Sequence, residues 1–153
     1  MIQIPRNHFR GGKITVPKVL IVEDSAFYRE LLKEALLSRF PSMELCEAAD
    51  GEEALQKIEA SLPDLIFMDI KLPGESGLEL TKKIKTQYPN INMIILTAYD
   101  IPEYREAAVQ AKANYFLSKG LASKENILTL VDSILSDQRK DNSGSKNKNS
   151  MDR

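Results

Sequence analysis

Apolar residues in this chain fall into five short runs, separated by longer stretches with helical spacing. The runs are Lys18–Glu23 (KVLIVE), Met43–Ala48 (MELCEA), Asp64–Asp69 (DLIFMD), Ile91–Leu96 (INMIIL) and Asn114–Ser118 (NYFLS). Their length and their β-branched or aromatic content predict strands. Between them, Phe27, Leu31 and Ala35 recur at i, i+4 and i+8. Tyr104, Ala107, Ala108 and Ala111 fall on one helical face, and Ile127, Leu130, Val131, Ile134 and Leu135 make a full stripe. Such spacing predicts amphipathic helices. Asp50-x-x-Glu53, Ser76-x-x-Glu79 and Asp100-x-x-Glu103 carry the sequence of a capping box, and Ser25 and Ser123 are further candidate caps.

Five alternations of strand and helix predict a parallel sheet with helices on both faces. The first, third and fourth runs are almost wholly apolar, as central strands covered on both sides must be. The second and fifth are mixed and suit edges. The expected fold is therefore α/β: a doubly wound, five-stranded parallel sheet in the flavodoxin-like order 2-1-3-4-5. Residues 1–17 read as a flexible N-terminal arm, 18–136 as the folded domain, and 137–153 as a disordered polar tail. That tail holds five Lys/Arg and three Asp/Glu, a net of +2, and reads as solvated.

In sheets of this kind ligands bind at the carboxyl ends of the strands, where the strand order reverses. There the chain places Glu23-Asp24, Asp69, Thr97-Ala98 and Ser118-Lys119. Taken singly, Asp24 is a helix cap, Asp69 a turn former, Thr97 a strand-end hydroxyl and Lys119 a solvated lysine. Taken together they are restrictive. Three clustered carboxylates repel one another unless a cation sits among them. An all-oxygen donor set suits Mg²⁺, which binds through a few carboxylates and keeps waters for a phosphate-bearing substrate. A carboxylate can serve as nucleophile toward phosphorus. The developing charge on the phosphoryl oxygens would then be met by the metal, by Lys119, and by the Thr97 hydroxyl with the Ala98 backbone N–H.

Composition narrows the field. Cys46 is the only cysteine and His8 the only histidine, which excludes an internal disulfide and makes His-based triads and zinc sites improbable. No G-x-x-x-x-G-K-[ST] or post-strand G-x-G-x-x-G occurs. A net charge of −1 gives no reason to expect nucleic-acid binding. No apolar run approaches membrane-spanning length, and residues 1–17 lack the apolar core of a secretory signal. A cytoplasmic protein without membrane attachment is expected.

The motifs VLIVEDS, DLIFMDIKLPGESGLEL, IILTAYD and YFLSKG resemble those of the receiver domains of bacterial two-component response regulators, over about Lys18 to Ser136. The resemblance implies that Asp69 is the phosphoacceptor, that Asp24 is a direct Mg²⁺ ligand with Glu23 its partner acid, and that the Lys71 backbone carbonyl is a further ligand. It implies that Thr97 is the switch hydroxyl, that Lys119 pairs with the phosphoryl group, and that Phe116 holds the place of the switch aromatic. That place usually carries tyrosine; here Tyr115 precedes it, and the choice between the two rings stays open. Gly120 follows Lys119 where proline is common.

The implied function is a signalling switch rather than a metabolic enzyme. A histidine kinase or phosphotransfer protein would donate the phosphoryl group, and the chain would assist its own phosphorylation and dephosphorylation. The downstream partner would be a protein or a separated DNA-binding output domain, and a homodimer on phosphorylation stays open. The motifs resemble receivers that carry a helix-turn-helix output domain, which does not follow here, so a stand-alone or separated receiver is expected. The alternative is a phosphorylation-independent interaction module of the same fold. An aspartyl phosphohydrolase is disfavoured because Lys71 stands where its general acid would be.

Overall fold

The computed structural model describes residues 8–10 and 13–143, with side chains from residue 16 to 138. The main sheet contains β3 (Lys18–Val22), β4 (Glu44–Ala48), β5 (Leu65–Met68), β6 (Asn92–Thr97) and β7 (Tyr115–Ser118). All pairs are parallel and the order is β4-β3-β5-β6-β7. Counted within this sheet, that is the expected order 2-1-3-4-5. The helices are α1 (Ala26–Arg39), α2 (Gly51–Ala60), α3 (Gly77–Gln87), α4 (Pro102–Gln110) and α5 (Lys124–Ser143).

Strand alternation divides the core into two layers. Val19, Ile21, Leu65, Phe67, Ile94 and Leu96 pack with α1 and α5. Leu20, Val22, Ile66, Met68, Met93 and Ile95 pack with α2, α3 and α4. The three central strands are buried on both faces, whereas β4 and β7 alternate or are half-buried, as edge strands do.

Four sequence expectations need correction. The buried stripe of α1 is Leu32 and Leu36 with Tyr28 beside it, while Phe27 is 74% exposed and Leu31 47%. Adjacent leucines give this helix two candidate stripes, and docking on β3 and α5 selects one. Asp100 does not cap α4. The helix begins at Pro102 with Ile101 as its uncapped N-cap, and Asp100 instead binds Arg105 through two hydrogen bonds, of 2.6 and 3.1 Å. Proline needs no N–H partner at a helix start, which moves the start one residue on. The N-terminal arm contains an antiparallel hairpin, β1 (His8–Arg10) with β2 (Lys13–Thr15), and β1 lies alongside α5. Finally, α5 continues past Ser136 to Ser143, where the sequence suggested disorder. The rest of both terminal segments lies outside the described residues.

The other caps form as expected. Asp50 accepts from the Glu53 N–H at 2.9 Å while Glu53 reaches back to the Ala49 N–H. Ser25 accepts from Tyr28, Ser76 from Leu78, and Ser123 from Asn126.

Candidate functional site

The parallel ladder continues one residue past several strands and so fixes the backbone of the site. The Glu23 N–H donates to the Ala48 carbonyl, the Asp69 N–H to Val22, and the Lys119 N–H to Thr97, at 2.8–3.0 Å. Residues on three strands are thereby set side by side at the carboxyl edge. Carboxylate oxygens of Glu23, Asp24 and Asp69 lie within 4.8 Å of one another. Glu23 and Asp69 are buried, at 4% and 7% exposure, and Asp24 is exposed.

Lys119 closes the group. Its Nζ donates to Glu23 Oε1 at 2.5 Å and to Asp69 Oδ2 at 3.1 Å. It also sits over the Tyr28 ring, 4.2 Å from the centroid, a cation–π geometry. The other Glu23 oxygen accepts from the Ser25 N–H, and Asp69 Oδ1 accepts from the Ile70 N–H at 2.7 Å. Burial pushes the Glu23 carboxyl above the usual carboxylate range, against the opposing pull of Lys119. Burial alone would lower the Lys119 ammonium, but the Glu23 hydrogen bond and the Asp69 charge outweigh it and the net shift is upward.

Three carboxylates facing one ammonium leave a surplus of negative charge in a pocket of oxygen donors. That set fits a divalent hard cation such as Mg²⁺, and Glu23, Asp24 and Asp69 are the residues that could hold it. Like charges this close cost free energy without one.

The remaining expected residues take varied places. Thr97 is fully buried, and its hydroxyl accepts a long 3.3 Å hydrogen bond from the Tyr99 N–H rather than meeting a carboxylate. Ala98 follows it, exposed. The Lys71 ammonium lies over the rings of Tyr99 and Tyr104, at 5.3 and 5.7 Å. Phe116 packs against the layer that contains α4, under the Arg105 guanidinium at 4.6 Å. Tyr115 is the exposed neighbour.

Three residues went unnoticed in the sequence. Gly77 opens α3 against the end of β5: a Cβ there would lie 1.8 Å from the Asp69 carbonyl oxygen, so only glycine fits. Its place in LPGESGLEL was the available signal. Tyr28 and Arg29 border the acidic pair, and nothing in the sequence marked them, because α1 presents them by its docking.

Comparison with known proteins agrees with this geometry. Residues 19–132 match the response regulator receiver domain. The chain is 33% identical over 118 residues to the chemotaxis protein CheY of Halobacterium salinarum, covering 77% of this chain and 96% of that one. It is 34% identical over 112 residues to the uncharacterized transcriptional regulatory protein YhcZ of Bacillus subtilis, covering 73% of this chain but 52% of the relative. The chain thus spans about half the length of the transcriptional regulators it matches. A CheY-like receiver domain from Methanospirillum hungatei superposes with a TM-score of 0.76 at 28% identity, covering 83% of this chain and 99% of the other. With its fold, its edge of carboxylates and this match over most of its length, the chain belongs to the response regulator receiver family of two-component signalling proteins.

Proposed function

We propose that Asp69 accepts a phosphoryl group from a phosphohistidine of a histidine kinase or phosphotransfer protein. The observation that carries this reading is the convergence of Glu23, Asp24 and Asp69 within 4.8 Å, with Lys119 bonded to two of them. An Asp69 carboxylate oxygen attacks phosphorus. The P–O bond forms as the P–N bond breaks, and the electron pair stays with the departing imidazole nitrogen, which takes a proton from solvent. Glu23, Asp24 and Asp69, with the Lys71 main-chain carbonyl, would hold Mg²⁺, which would supply neutralisation of charge on the transferring group. Lys119 is already within reach of Asp69 and transfers its hydrogen bond to a phosphoryl oxygen. Thr97 and the Ala98 N–H meet another, which requires the Thr97 hydroxyl to leave Tyr99.

That movement acts on the loop leading into α4. Two states of this loop, biased by the phosphoryl group, give the switch. Phe116 suits the aromatic role better than Tyr115, because it lies packed against the α4 layer and touches Arg105. The face around α4 and β7 exposes Ile101, Val109 and Tyr115 and would change partners. The partner is a downstream protein or a separate DNA-binding output domain, or a second copy of the chain, with no nucleic acid bound by this chain itself. The exposed Phe27 and Leu31 on α1, just after the acidic pair, suit docking of the donor. All residues invoked lie between 18 and 136, and we assign the chemistry to that segment. With such a donor, the proposed setting of the reaction is the cytoplasm.

Incubation with acetyl phosphate and Mg²⁺, read by intact mass, tests the assignment. The unaltered chain should gain one phosphate and Asp69→Asn none. Equal labelling of both, or of neither, would overturn it.

A further inference from the structure

The acidic pair sits in a bend between β3 and α1, and the position of Asp24 depends on how that bend is held. Asp24 is exposed, and its carboxylate has no ion pair among the described residues. Its main chain is fixed from both sides. The Glu23 N–H is bound to Ala48 and the Ser25 N–H to Glu23 Oε2. The Glu23 carbonyl accepts from Arg29 Nη1 at 2.5 Å. The same guanidinium donates through Nε to Glu47 Oε1 on β4 at 2.9 Å. Glu47 is anchored in turn by Lys33 at 2.8 Å.

Building on the acidic-pocket reading above, we propose that Arg29 is a positioning residue for the cation site. Its guanidinium braces the Glu23 carbonyl against Glu47 and so holds Glu23 and Asp24 in place to bind a divalent ion. The fork geometry matters. Arginine presents several donors in a rigid plane and can serve two acceptors at once, whereas lysine is a point charge on a flexible stem. Glu47 has a second part. Lys33 first, and then Arg29, hold its carboxyl below the usual carboxylate range. It therefore remains ionised and offsets a positive charge that would otherwise repel the incoming cation.

Two effects of Arg29 thus oppose each other. Removing its charge would strengthen cation binding through simple Coulomb attraction. Removing its hydrogen bonds would loosen the bend and weaken binding. Supporting partners around metal ligands commonly control affinity by roughly ten-fold or more, and here the brace dominates.

Calorimetric titration of the full chain with Mg²⁺ alone separates the two. Arg29→Gln should weaken Mg²⁺ binding by roughly ten-fold, and Arg29→Lys should recover little of that loss. Unchanged or tighter binding in Arg29→Gln would overturn the proposal, as would full recovery in Arg29→Lys. A second measurement needs no metal. Amide hydrogen exchange at Asp24 and Ser25 should speed up in Arg29→Gln while β5 and β6 keep their protection. Exchange that rises equally throughout would mean general destabilisation and would also overturn it. If the unaltered chain failed to bind Mg²⁺, the acidic-pocket reading would fall, and the exchange result would still decide what Arg29 does to the bend.

Discussion

The two ends of the sheet each enclose a lysine, and the two lysines behave in opposite ways. At the amino end, Lys85 of α3 donates to the carbonyls of Pro89 and Ile91 and to Asn114 Oδ1, at 2.7–3.1 Å. All three acceptors are neutral, and burial holds its ammonium below the usual lysine value. At the carboxyl end, Lys119 is bound by two carboxylates and its ammonium is shifted upward despite burial. The difference is one of partners. Neutral oxygens satisfy the hydrogen bonds of an ammonium but compensate little of its lost hydration. Carboxylates compensate it fully, at the cost of concentrating negative charge that only a further cation can balance. Lys85 is a fastener: it ties the end of α3 to the starts of β6 and β7, where Asn114 Oδ1 also accepts from the Met93 N–H at 2.8 Å. Lys119 sits in an unbalanced site, and lack of balance is what makes a site responsive.

The sharpest way to break this comparison is at the functional end. Gly77→Ala should cost about 3 kcal/mol or more, the upper range for overpacking, because the new methyl meets the Asp69 carbonyl rather than a movable side chain. Chemical denaturation would measure it, and the protein that remains folded should label poorly with acetyl phosphate. A cost under about 0.5 kcal/mol, the range of ordinary surface changes, would show that α3 does not press on the end of β5.

Next in size is the fastener. Lys85→Met should destabilise the fold by about 2 kcal/mol, since buried acceptors lose their donor, yet leave phosphorylation of the folded protein unchanged. Lys119→Met should differ in both respects. It should impair phosphorylation severely, and its stability loss should shrink when Mg²⁺ is added, because the cation replaces the missing charge. If Mg²⁺ failed to narrow the gap between Lys119→Met and the unaltered chain, the electrostatic account of that end would be wrong.

The smallest effect lies in alkaline pH. The ordinary lysine value is 10.5. A folded-state value below it, as at Lys85, means the folded protein releases its proton first, so stability rises as pH goes from that folded value up to 10.5. A folded-state value above it, as at Lys119, gives stability that is present below 10.5 and lost as pH rises through the folded value. Urea denaturation along this range should therefore show a smaller rising part in Lys85→Met and a smaller falling part in Lys119→Met. Identical profiles in both variants would erase the contrast.

Much of the fold and the site was legible from local pattern. The strand runs closed on hydrophobic content, and the acids and the lysine stood where those runs ended. Capping residues marked four of the five helix starts, the exception being α4, where Pro102 displaced the start from Asp100. What escaped notice had a common cause. Whether Leu31 or Leu32 faces inward, whether Arg29 reaches Glu47, and whether Gly77 touches the end of β5 all depend on contacts between residues distant in sequence. Lys85 looked like any helix-surface lysine until the turn at Pro89 and the start of β7 enclosed it.

By itself the amino-acid sequence determined the alternation of strand and helix and the doubly wound sheet, and it marked Glu23, Asp24, Asp69, Thr97 and Lys119 as candidates at the strand ends. Periodicity and strand-end chemistry are properties of consecutive residues. Only the tertiary structure decided how these groups are held: which carboxylates Lys119 binds, that the Thr97 hydroxyl is turned toward Tyr99, and that Phe116 lies beneath Arg105. Those outcomes turn on hydrogen bonds and packing between separate elements. Their energies exist only once the sheet has brought the elements together.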